Sequence, residues 1–438
     1  MGLEAPPDFN PHAEGETSLS ILFKVQSNPV FQKAREAYLY WDKAKYCNTG
    51  VPSQQFWSGL KMYRYLNQKT LYIGRYHFTY TLTDTIQRQL FQIGQQLGGI
   101  LGSNTGLAES DKNKFMVRSI IEEAISSSQM EGSNTTRKRA REILEKGLKP
   151  AQKAERMIVN NYAAMQHVLQ LKNTPFSPEN IAAIQQIVTA QTLKYSEDEG
   201  RYRTAGDDVW VEDGITKEEI YIPPPAEEVP LLMQALCDFA NEDGESFIHP
   251  IIKAIIIHFL IGWIHPFVDG NGRTARSLFY WYMLKSGFWL TEHLAISSII
   301  QASKCQYEKA YLYTETDNND IGYFIQYHMQ TLEKAVQAMQ AYISRKQQEV
   351  TQAAQFLRIS GIKERMAHVL KMLHDDPDRT FTPVQMQNRF GITANTARAD
   401  LGTLTEKGFL EKIPLHKKKF HYARAKSFEA KIREALRG

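Results

Sequence analysis

The sequence contains few cysteines and no long uninterrupted apolar run. Its three cysteines, Cys47, Cys237 and Cys305, lie far apart and form no CxxC pair. This usage argues against a disulfide framework and a zinc site, and it is typical of a reducing compartment. The longest apolar stretch, IIKAIIIHFLIGWI, is interrupted by Lys253 and His258 and is shorter than the roughly 20 residues that span a bilayer. We therefore expect no membrane partner.

Two targeting signals are also missing from the N-terminal segment MGLEAPPDFNPHAEGETSLS. The segment is polar and proline-rich, and it lacks the hydrophobic core of a secretory signal. Pro6 breaks the pattern for myristoylation. We expect a bacterial-type cytoplasmic protein whose residues 1–20 are disordered.

Basic charge is concentrated near the C-terminus. Residues 361–438 hold 16 Lys and Arg against 9 Asp and Glu, a net charge of +7, whereas the rest of the chain has a net charge of −3. A local excess of this kind favours a polyanionic partner. The length of 438 residues predicts two or three domains.

Helical periodicity runs from residue 21 to about 195, with apolar residues at intervals of three and four in segments such as DTIQRQLFQIGQQLGGIL. The pattern changes in RYRTAGDDVWVEDGITKEEIYIPPP, where two runs of strand-forming residues flank Asp213-Gly214, a turn signal. This segment predicts a small β-hairpin on a helical body. Helices are expected again up to about residue 347.

The C-terminal part has a different order of elements. KERMAHVLKML is amphipathic, and TPVQMQNRFGITANTARADLGTLTEKGFL predicts two helices joined at Gly391, with Thr393 as the N-cap of the second. FLEKIP and FHYARA predict two strands around the basic turn LHKKK. The order resembles a winged helix-turn-helix.

The segment IHPFVDGNGRTAR follows the apolar run without a break. Gly270 and Gly272 allow a tight turn whose backbone N–H groups converge. A helix that begins there would favour an anion at its N-terminus. Arg273 and Arg276 are three residues apart, so they share one helical face beside that anion, and arginine forks suit phosphate oxygens.

Asp269 and His265 add a metal ligand and a base to this segment. Mg²⁺ usually takes one or two carboxylates together with substrate phosphates, and a histidine can act as a base near neutral pH. The GK[ST] of a P-loop is absent. The residues therefore predict a magnesium–nucleotide site of another kind; the alternative is a glycine turn with solvated arginines. The nearby His249 and His258 are expected to cap or pack.

The same segment resembles the Fic family motif HxFx(D/E)GNGRxxR at every specified position. The matching residues are His265, Phe267, Asp269, Gly270, Asn271, Gly272, Arg273 and Arg276. The resemblance extends from about residue 75 to 335 and includes GRYRTAG and YIPPPAEEVPLLM. It implies a mainly α fold with a small β-hairpin flap. It also implies a protein adenylyltransferase, which moves AMP from ATP to a Ser, Thr or Tyr hydroxyl and releases pyrophosphate.

The resemblance assigns the chemistry to particular residues. His265 takes the proton of the incoming hydroxyl, and Asp269 holds Mg²⁺ against the α- and β-phosphates. Phe267 is structural and faces the core. Tyr307 is expected to line the adenine side, with a packing aromatic as the alternative.

Phosphate binding is assigned to the glycine turn and the two arginines. Asn271 and the backbone of Gly270 and Gly272 cradle phosphate oxygens, while Arg273 and Arg276 neutralise the β- and γ-phosphates. Phosphoryl-type transfer depends on such positioning and charge neutralisation.

A second motif lies upstream, in SSSQMEGSN. Ser127, Glu131 and Gly132 match the inhibitory signature (S/T)xxxE(G/N) of Fic proteins, which implies that Glu131 pairs with Arg276 in place of the γ-phosphate. Ser127 is then expected to steady the helix of Glu131. Taken without the first motif, the pattern is a solvated helix terminus.

The predicted winged helix would present Asn395, Thr396 and Arg398 on its third helix, and its wing would present three lysines, Lys417, Lys418 and Lys419. Lysines on a turn can contact phosphates without reading sequence. Asp400 on the same helix weakens the case for DNA. A winged helix used for protein contacts or dimerisation is the alternative.

The sequence thus predicts an ATP- and Mg²⁺-dependent protein adenylyltransferase inhibited by Glu131. The alternatives are a DNA-binding regulator with a nucleotide-sensing Fic domain, a Fic enzyme that removes AMP, and transfer of phosphate or phosphocholine. Expected partners are a target protein, with the chain itself as one option, and DNA; a homodimer stays open. The predicted regions are a disordered N-terminus (1–20), an N-terminal helical region (21–110), a Fic domain with the inhibitory helix (111–345), a linker helix (346–360), a winged helix-turn-helix (361–425) and a tail (426–438).

Overall fold

The computed structural model describes residues 3–12, 18–48, 50–98, 109–207, 209–212, 219–242, 244, 246–416 and 419–437. The chain divides into two compact units, Met1–Met339 and Gln340–Gly438. Within the described residues, no helix is both long enough and apolar enough to cross a bilayer.

The first unit is mainly helical, as the sequence predicts. Its helices are α1 (Ser18–Val25), α2 (Pro29–Glu36), α3 (Trp41–Ala44), α4 (Ser53–Asn67), α5 (Asp84–Gly98), α6 (Glu109–Met130), α7 (Arg137–Lys146), α8 (Lys153–Leu171), α9 (Pro178–Thr189), α10 (Val229–Asn241), α11 (Pro250–Ile264), α12 (Asn271–Lys285), α13 (Ile296–Ala302), α14 (Lys304–Thr316) and the start of α15 (Gly322–Leu357). Short 3₁₀ turns lie at Ser196–Asp198, Ala226–Glu228 and Trp289–His293.

Helices α11 and α12 form the centre of this unit and pack against each other. Helix α11 carries the apolar run and is buried on nearly every side, which explains why it has no polar face. Helix α12 is buried from Asn271 to Leu284, except at Gly272. Helices α6, α8 and α9 pack around α12, so the loop between α11 and α12 lies at the meeting point of several elements.

The helical interpretation of residues 21–195 is wrong at one place, because β1 (Gln68–Ile73) and β2 (Tyr76–Thr81) form an antiparallel hairpin. Ile73 pairs with Tyr76, so the turn consists of Gly74 and Arg75. Glycine at the first central position suits a two-residue hairpin turn, and Gly74 has φ +57°. Aromatic and β-branched residues around this turn are a strand signal that helical periodicity hides.

The N-terminal segment also differs from the expected disorder. Residues 3–12 lie against the first helices, where Trp41 Nε1 donates to Glu4 Oε1 at 2.9 Å and the Tyr40 hydroxyl donates to the Glu4 carbonyl at 3.0 Å. Leu3 and Phe9 pack on the cluster of aromatic residues there. Burial of these two apolar side chains stabilises the packing of an otherwise polar segment.

The predicted hairpin is present as β3 (Val211–Glu212) and β4 (Glu219–Tyr221), which pair antiparallel. The turn at Asp213-Gly214 lies outside the described residues. The Tyr221 hydroxyl donates to the Trp263 carbonyl at 2.9 Å, so β4 is fixed to the end of α11.

The second unit contains the rest of α15, then α16 (Glu364–Asp375), β5 (Thr380–Phe381), α17 (Pro383–Phe390), α18 (Ala394–Glu406), β6 (Leu410–His416), β7 (Lys419–Arg424) and α19 (Phe428–Arg437). The three strands form one antiparallel sheet in the order β5-β7-β6. The prediction for the helix junction is confirmed: Gly391 ends α17 in the left-handed region, and the Thr393 side chain accepts from Thr396 N. The winged-helix assignment itself stays a prediction, and Lys417 and Lys418 lie outside the described residues.

Two predicted boundaries in this region differ from the structure. The linker 346–360 lies mostly within α15, which is continuous from Gly322 to Leu357. The expected tail 426–438 contains α19, whose Phe428 and Ile432 are buried in the core of this unit. The amphipathic pattern of α19 explains its packing, because apolar positions three and four apart share one face.

Candidate active site

The loop between α11 and α12 reverses the chain with two left-handed residues. His265 ends α11 with φ 49° and ψ 58°, and its N–H donates to the Ile261 carbonyl at 3.0 Å. Gly270, at φ +86°, precedes the first turn of α12, and a Cβ there would meet Thr189 Cγ2 at 2.7 Å. Glycine is therefore required at this position by both its conformation and its space.

Asn271 and Phe267 lock this loop. The Asn271 side-chain amide donates to the Phe267 carbonyl at 2.7 Å, and its oxygen accepts from Phe267 N at 3.0 Å. Both side chains are buried. The Asn271 side chain therefore holds the loop, and the phosphate contact that the resemblance implies for it stays a prediction. Phe267 lies in the core, as the resemblance implies.

Arg273 is fixed by the elements beside α12. It is 1% exposed, and its guanidinium donates to the Val188 carbonyl at 2.7 Å and to Asp269 Oδ1 at 3.2 Å. The Asp269 side chain is half exposed, and its backbone carbonyl accepts from Gln185 Nε2 at 2.9 Å. A buried cation and an accessible carboxylate thus lie side by side at the start of α12.

Arg276 contacts the upstream motif. Its Nε donates to Ser127 Oγ at 2.8 Å, and its Nη2 donates to the Ser127 carbonyl at 3.1 Å and to Glu131 Oε1 at 2.9 Å. Arg276 is 1% exposed, whereas the Glu131 side chain is 35% exposed. Burial acts to raise the pKa of Glu131, but the Arg276 guanidinium outweighs it, so that pKa is lowered. Glu131 is therefore an ionised partner of Arg276 at neutral pH.

Glu131 lies directly over the first turn of α12. A Cβ added to Gly272 would collide with Glu131 Oε1, so this carboxylate would have to move if residue 272 were not glycine. Gly132, at φ +90°, follows it and ends the α6 region in the left-handed conformation. The carboxylate therefore occupies the helix N-terminus that the sequence assigns to a phosphate.

The buried polar atoms of the site are not all paired. Among the described residues, His265 Nδ1, Arg273 Nε and Arg276 Nη1 have no hydrogen-bond partner. Buried guanidinium N–H groups without partners are rare and costly. Two such groups on neighbouring arginines indicate a site built for an acceptor beyond the one that Glu131 supplies.

His265 is a neutral imidazole in this site. Burial, followed by the positive charge of Arg203, lowers the pKa of His265 to about 4, so the imidazole is neutral at pH 7. Its backbone carbonyl accepts from Arg203 Nε at 2.8 Å. A neutral imidazole can accept a proton, whereas an imidazolium cannot.

Tyr307 lies beside the site but is held by a histidine. Its hydroxyl lies 3.0 Å from His258 Nε2, and His258 is fully buried. His249 caps α11 by accepting from Ile251 N at 3.2 Å. His258 thus packs in the core and His249 caps a helix, as the sequence predicts. Tyr307 makes the packing contact that the sequence offered as its alternative role, and its position on the adenine side stays a prediction.

Three residues of the site could not be assigned from the sequence. Arg203 binds backbone next to His265, Gln185 binds the backbone of Asp269, and Glu123 anchors α6 by accepting from Ser297 N at 2.9 Å and from Tyr280 OH at 2.8 Å. Arg203 lies within GRYRTAG, a segment whose only signal is its resemblance to the Fic family. Local pattern offers no signal for the other two, because their partners are remote in the chain.

The residues present fit a magnesium ion that a nucleotide brings with it. Within the described ranges, no group of three or more His, Cys, Asp or Glu side chains could hold a metal by itself. Asp269 offers one accessible hard carboxylate beside the anion-binding turn. Mg²⁺ commonly takes one or two carboxylates and completes its shell with phosphate oxygens and water.

Comparison with known proteins agrees with this site. The Fic/DOC family profile matches residues 175–283, which include β3, β4, α11 and most of α12. The chain is 37% identical over 68 residues to "Protein adenylyltransferase Fic" of Drosophila willistoni, and 37% identical over 89 residues to the protein of that name in Nematostella vectensis. These segments cover 16% and 20% of this chain and only 14% and 19% of the relatives. The chain thus matches less than a fifth of these relatives' length.

Solved structures support the fold over a longer span. A Fic family protein from Desulfovibrio desulfuricans G20 superposes with a TM-score of 0.53 and 20% identity, covering 79% of this chain and 98% of that one. Fic-1 of C. elegans (aa134–508) superposes with a TM-score of 0.53 and 18% identity, covering 75% and 88%. At this identity the likeness concerns the fold alone. The matched motif and the family profile show a Fic/DOC family domain at residues 175–283, and the solved structures agree with its fold.

Proposed function

We propose that the chain is a protein adenylyltransferase whose activity is blocked by Glu131. The observation that carries the proposal is the carboxylate of Glu131 on Arg276, at the N-terminus of α12 and in the same site as the neutral His265. The shared name of the relatives in Drosophila willistoni and Nematostella vectensis supports the reaction. ATP is the substrate that this pocket of N–H groups and guanidinium groups suits.

The proposed reaction balances with the residues of this site. The hydroxyl oxygen of a Ser, Thr or Tyr of the target forms a bond to the α-phosphorus of ATP, and the bond from that phosphorus to the bridging oxygen breaks. Pyrophosphate leaves with the bond electrons, and His265 takes the hydroxyl proton. Bound with the nucleotide, Mg²⁺ would be held by Asp269 and would neutralise phosphate charge. Arg273, Arg276 and the helix N-terminus supply the remaining positive potential.

The proposed inhibition follows from competition for Arg276. The γ-phosphate of ATP and the Glu131 carboxylate are both anions that need the same guanidinium and the same space above Gly272. While Glu131 is bound, a triphosphate cannot take the pose in which its α-phosphorus faces His265. Ser127, which also accepts from Arg276, holds the arginine in the geometry that the carboxylate uses.

Mass spectrometry of the purified protein tests this proposal. Glu131→Gly protein, incubated with ATP and Mg²⁺ alone and with cell lysate, should show added AMP on itself or on a target. The double variant Glu131→Gly/His265→Ala should show none, since the base is missing. If the two variants do not differ with any acceptor, the proposal is wrong.

A second candidate function, binding of double-stranded DNA by the second unit, is favoured by one observation. Asp400, whose charge weakens the case for DNA in the sequence, is 2% exposed and accepts from Arg365 Nε at 2.9 Å. It therefore does not add negative charge to the outer face of α18, where Asn395 and Arg398 are exposed. Phosphate contacts by such a face would be salt-dependent.

Fluorescence anisotropy with a labelled DNA duplex tests the second candidate. Binding should weaken as salt is raised, and Arg398→Ala should weaken it further. Arg358→Ala is the control, because Arg358 precedes α16 and does not lie on α18; this substitution should have little effect. Absence of binding at low salt, or equal loss in both variants, would leave a protein-contact role for this unit.

A further inference from the structure

Arg203 makes an unusual set of backbone contacts around the proposed base. It is 6% exposed, and its Nε donates to the His265 carbonyl at 2.8 Å while its Nη2 donates to the Ile264 carbonyl at 3.2 Å and to the Pro224 carbonyl. Its own N–H donates to the Pro266 carbonyl at 2.9 Å. One residue thus binds three consecutive carbonyls, those of residues 264–266.

These contacts satisfy groups that the end of α11 leaves unpaired. The last carbonyls of a helix have no partner within it, and a buried carbonyl without a partner costs about 1–3 kcal/mol. A guanidinium presents several N–H donors in a fixed plane, so one side chain can bind carbonyls that point in different directions. Arg203 therefore supplies the donors that these carbonyls need.

The conformation of His265 needs such support. A residue other than glycine in the left-handed region costs of order 1–3 kcal/mol and persists only where its surroundings impose it. His265 has φ 49° and ψ 58°, and the direction of its Cα–Cβ bond, hence of the imidazole, depends on these angles. The loop on the α12 side is fixed by Asn271, whereas on the α11 side Arg203 contacts both carbonyls that flank the His265 Cα.

Arg203 also joins the hairpin to this turn. It lies shortly before β3, and Pro224, whose carbonyl it binds, lies shortly after β4. Both ends of the β3–β4 hairpin are thereby attached to the backbone on either side of His265. The side chain of Arg203 thus links the position of the hairpin to that of the base.

We propose that Arg203 is a positioning residue for AMP transfer: it holds the His265 backbone in the left-handed conformation and fixes the base of the β3–β4 hairpin to it. The proposal rests on the proposed function, because it assigns His265 the role of base. Arg203 does not touch the nucleotide pocket in this arrangement, since its three side-chain contacts are to backbone carbonyls. Its loss should therefore affect the rate of transfer and not the binding of ATP.

Steady-state kinetics in the Glu131→Gly background tests the proposal. Arg203→Met should lower kcat for AMP transfer by about 100-fold, the scale expected for a displacement near 1 Å at a reacting group, while KM for ATP and its calorimetric Kd change less than twofold. Arg203→Lys should keep an intermediate kcat, because an ammonium can reach one or two of the three carbonyls. Arg201→Met is the matched control: Arg201 is two residues away, but its side chain binds Asp198 and Asp207, so kcat should stay within about threefold.

The outcomes separate the two proposals. If Glu131→Gly alone transfers no AMP, the proposed function fails before Arg203 is tested. If Glu131→Gly is active and Arg203→Met is equally active, or if both Arg203 variants lose ATP binding in parallel with kcat, the positioning role is overturned. Should Arg203→Met fail to fold, Arg203→Lys decides: unchanged kcat contradicts the role, and reduced kcat with unchanged ATP binding supports it.

Discussion

Replacing Glu131 by glycine removes the anion that occupies the proposed nucleotide site. The substitution eliminates one charged hydrogen bond of 2.9 Å between Glu131 and the buried Arg276. Hydrogen bonds to charged groups contribute about 1.5–3 kcal/mol, equivalent to roughly 10- to 150-fold in an equilibrium. Because the Glu131 side chain is 35% exposed, water screens the pair, and we expect the lower part of this range, about 10- to 50-fold.

The assay is the initial rate of AMP incorporation from labelled ATP at ATP concentrations below KM, where the fraction of open sites determines the rate. Glu131→Gln is expected to give a smaller gain, because the amide still fills the space but carries no charge. Glu122→Gln is a matched control on the same helix, since Glu122 pairs with Arg137 and Arg141 and not with the site. A gain below threefold for Glu131→Gly, or an equal gain for Glu122→Gln, would refute the reasoning.

Three further predictions concern titratable side chains of the same unit. Glu123→Gln should loosen the attachment of α6 and raise AMP transfer several-fold, which is less than the gain from Glu131→Gly. In the Glu131→Gly background it should have no further effect, and an additive gain there would contradict the role of Glu123 in holding the helix of Glu131. Asp269→Asn should lower transfer at least about 10-fold and reduce its dependence on Mg²⁺ concentration, measured by magnesium titration; an unchanged magnesium dependence would remove Asp269 as the ligand. Burial lowers the pKa of His265 to about 4 and that of His328 to about 3, so these two side chains bind fewer protons in the folded state than in the unfolded state below pH 6.5. Their contribution to stability should be complete above pH 6.5 and decrease as the pH falls toward their folded-state pKa values, whereas Glu315, whose pKa burial raises to about 8, acts in the opposite direction. The effect of His328→Gln on urea unfolding should therefore differ between pH 7 and pH 5, and an identical effect at both pH values would argue against a neutral buried His328.

The motif residues could be predicted because their roles are set over a few residues of chain. Gly270 lies in the turn before α12, and Gly272, Arg273 and Arg276 lie in the first turns of that helix; a glycine turn and a helix N-terminus both have sequence signals. The pairing of Glu131 with Arg276 spans 145 residues and could be anticipated only because a resemblance linked the two motifs. The spacing SxxxE alone would have indicated a helix terminus.

The features that the sequence did not reveal depend on contacts between distant segments. Arg203 lies 62 residues from His265, and Glu123 lies 174 residues from Ser297; an arginine in a loop and a glutamate in a helix both look solvated until the fold is known. The two hydrogen bonds between the Asn271 side chain and the backbone of Phe267 also have no signal in the sequence, where the resemblance points to phosphate as the partner of Asn271. The β1–β2 hairpin was not predicted because α4 and α5, on either side of it, give the surrounding sequence a helical spacing of apolar residues.

Calorimetric titration of ATP with Mg²⁺ into Glu131→Gly protein, with and without Arg276→Ala, measures whether Glu131 and a phosphate compete for Arg276. We expect the Glu131→Gly protein to bind ATP about 10- to 50-fold more tightly than the unaltered chain, in keeping with the strength of the charged hydrogen bond between Glu131 and Arg276. Arg276→Ala should abolish this gain. Equal ATP affinity in all three proteins would contradict the claim that Glu131 and a phosphate compete for Arg276.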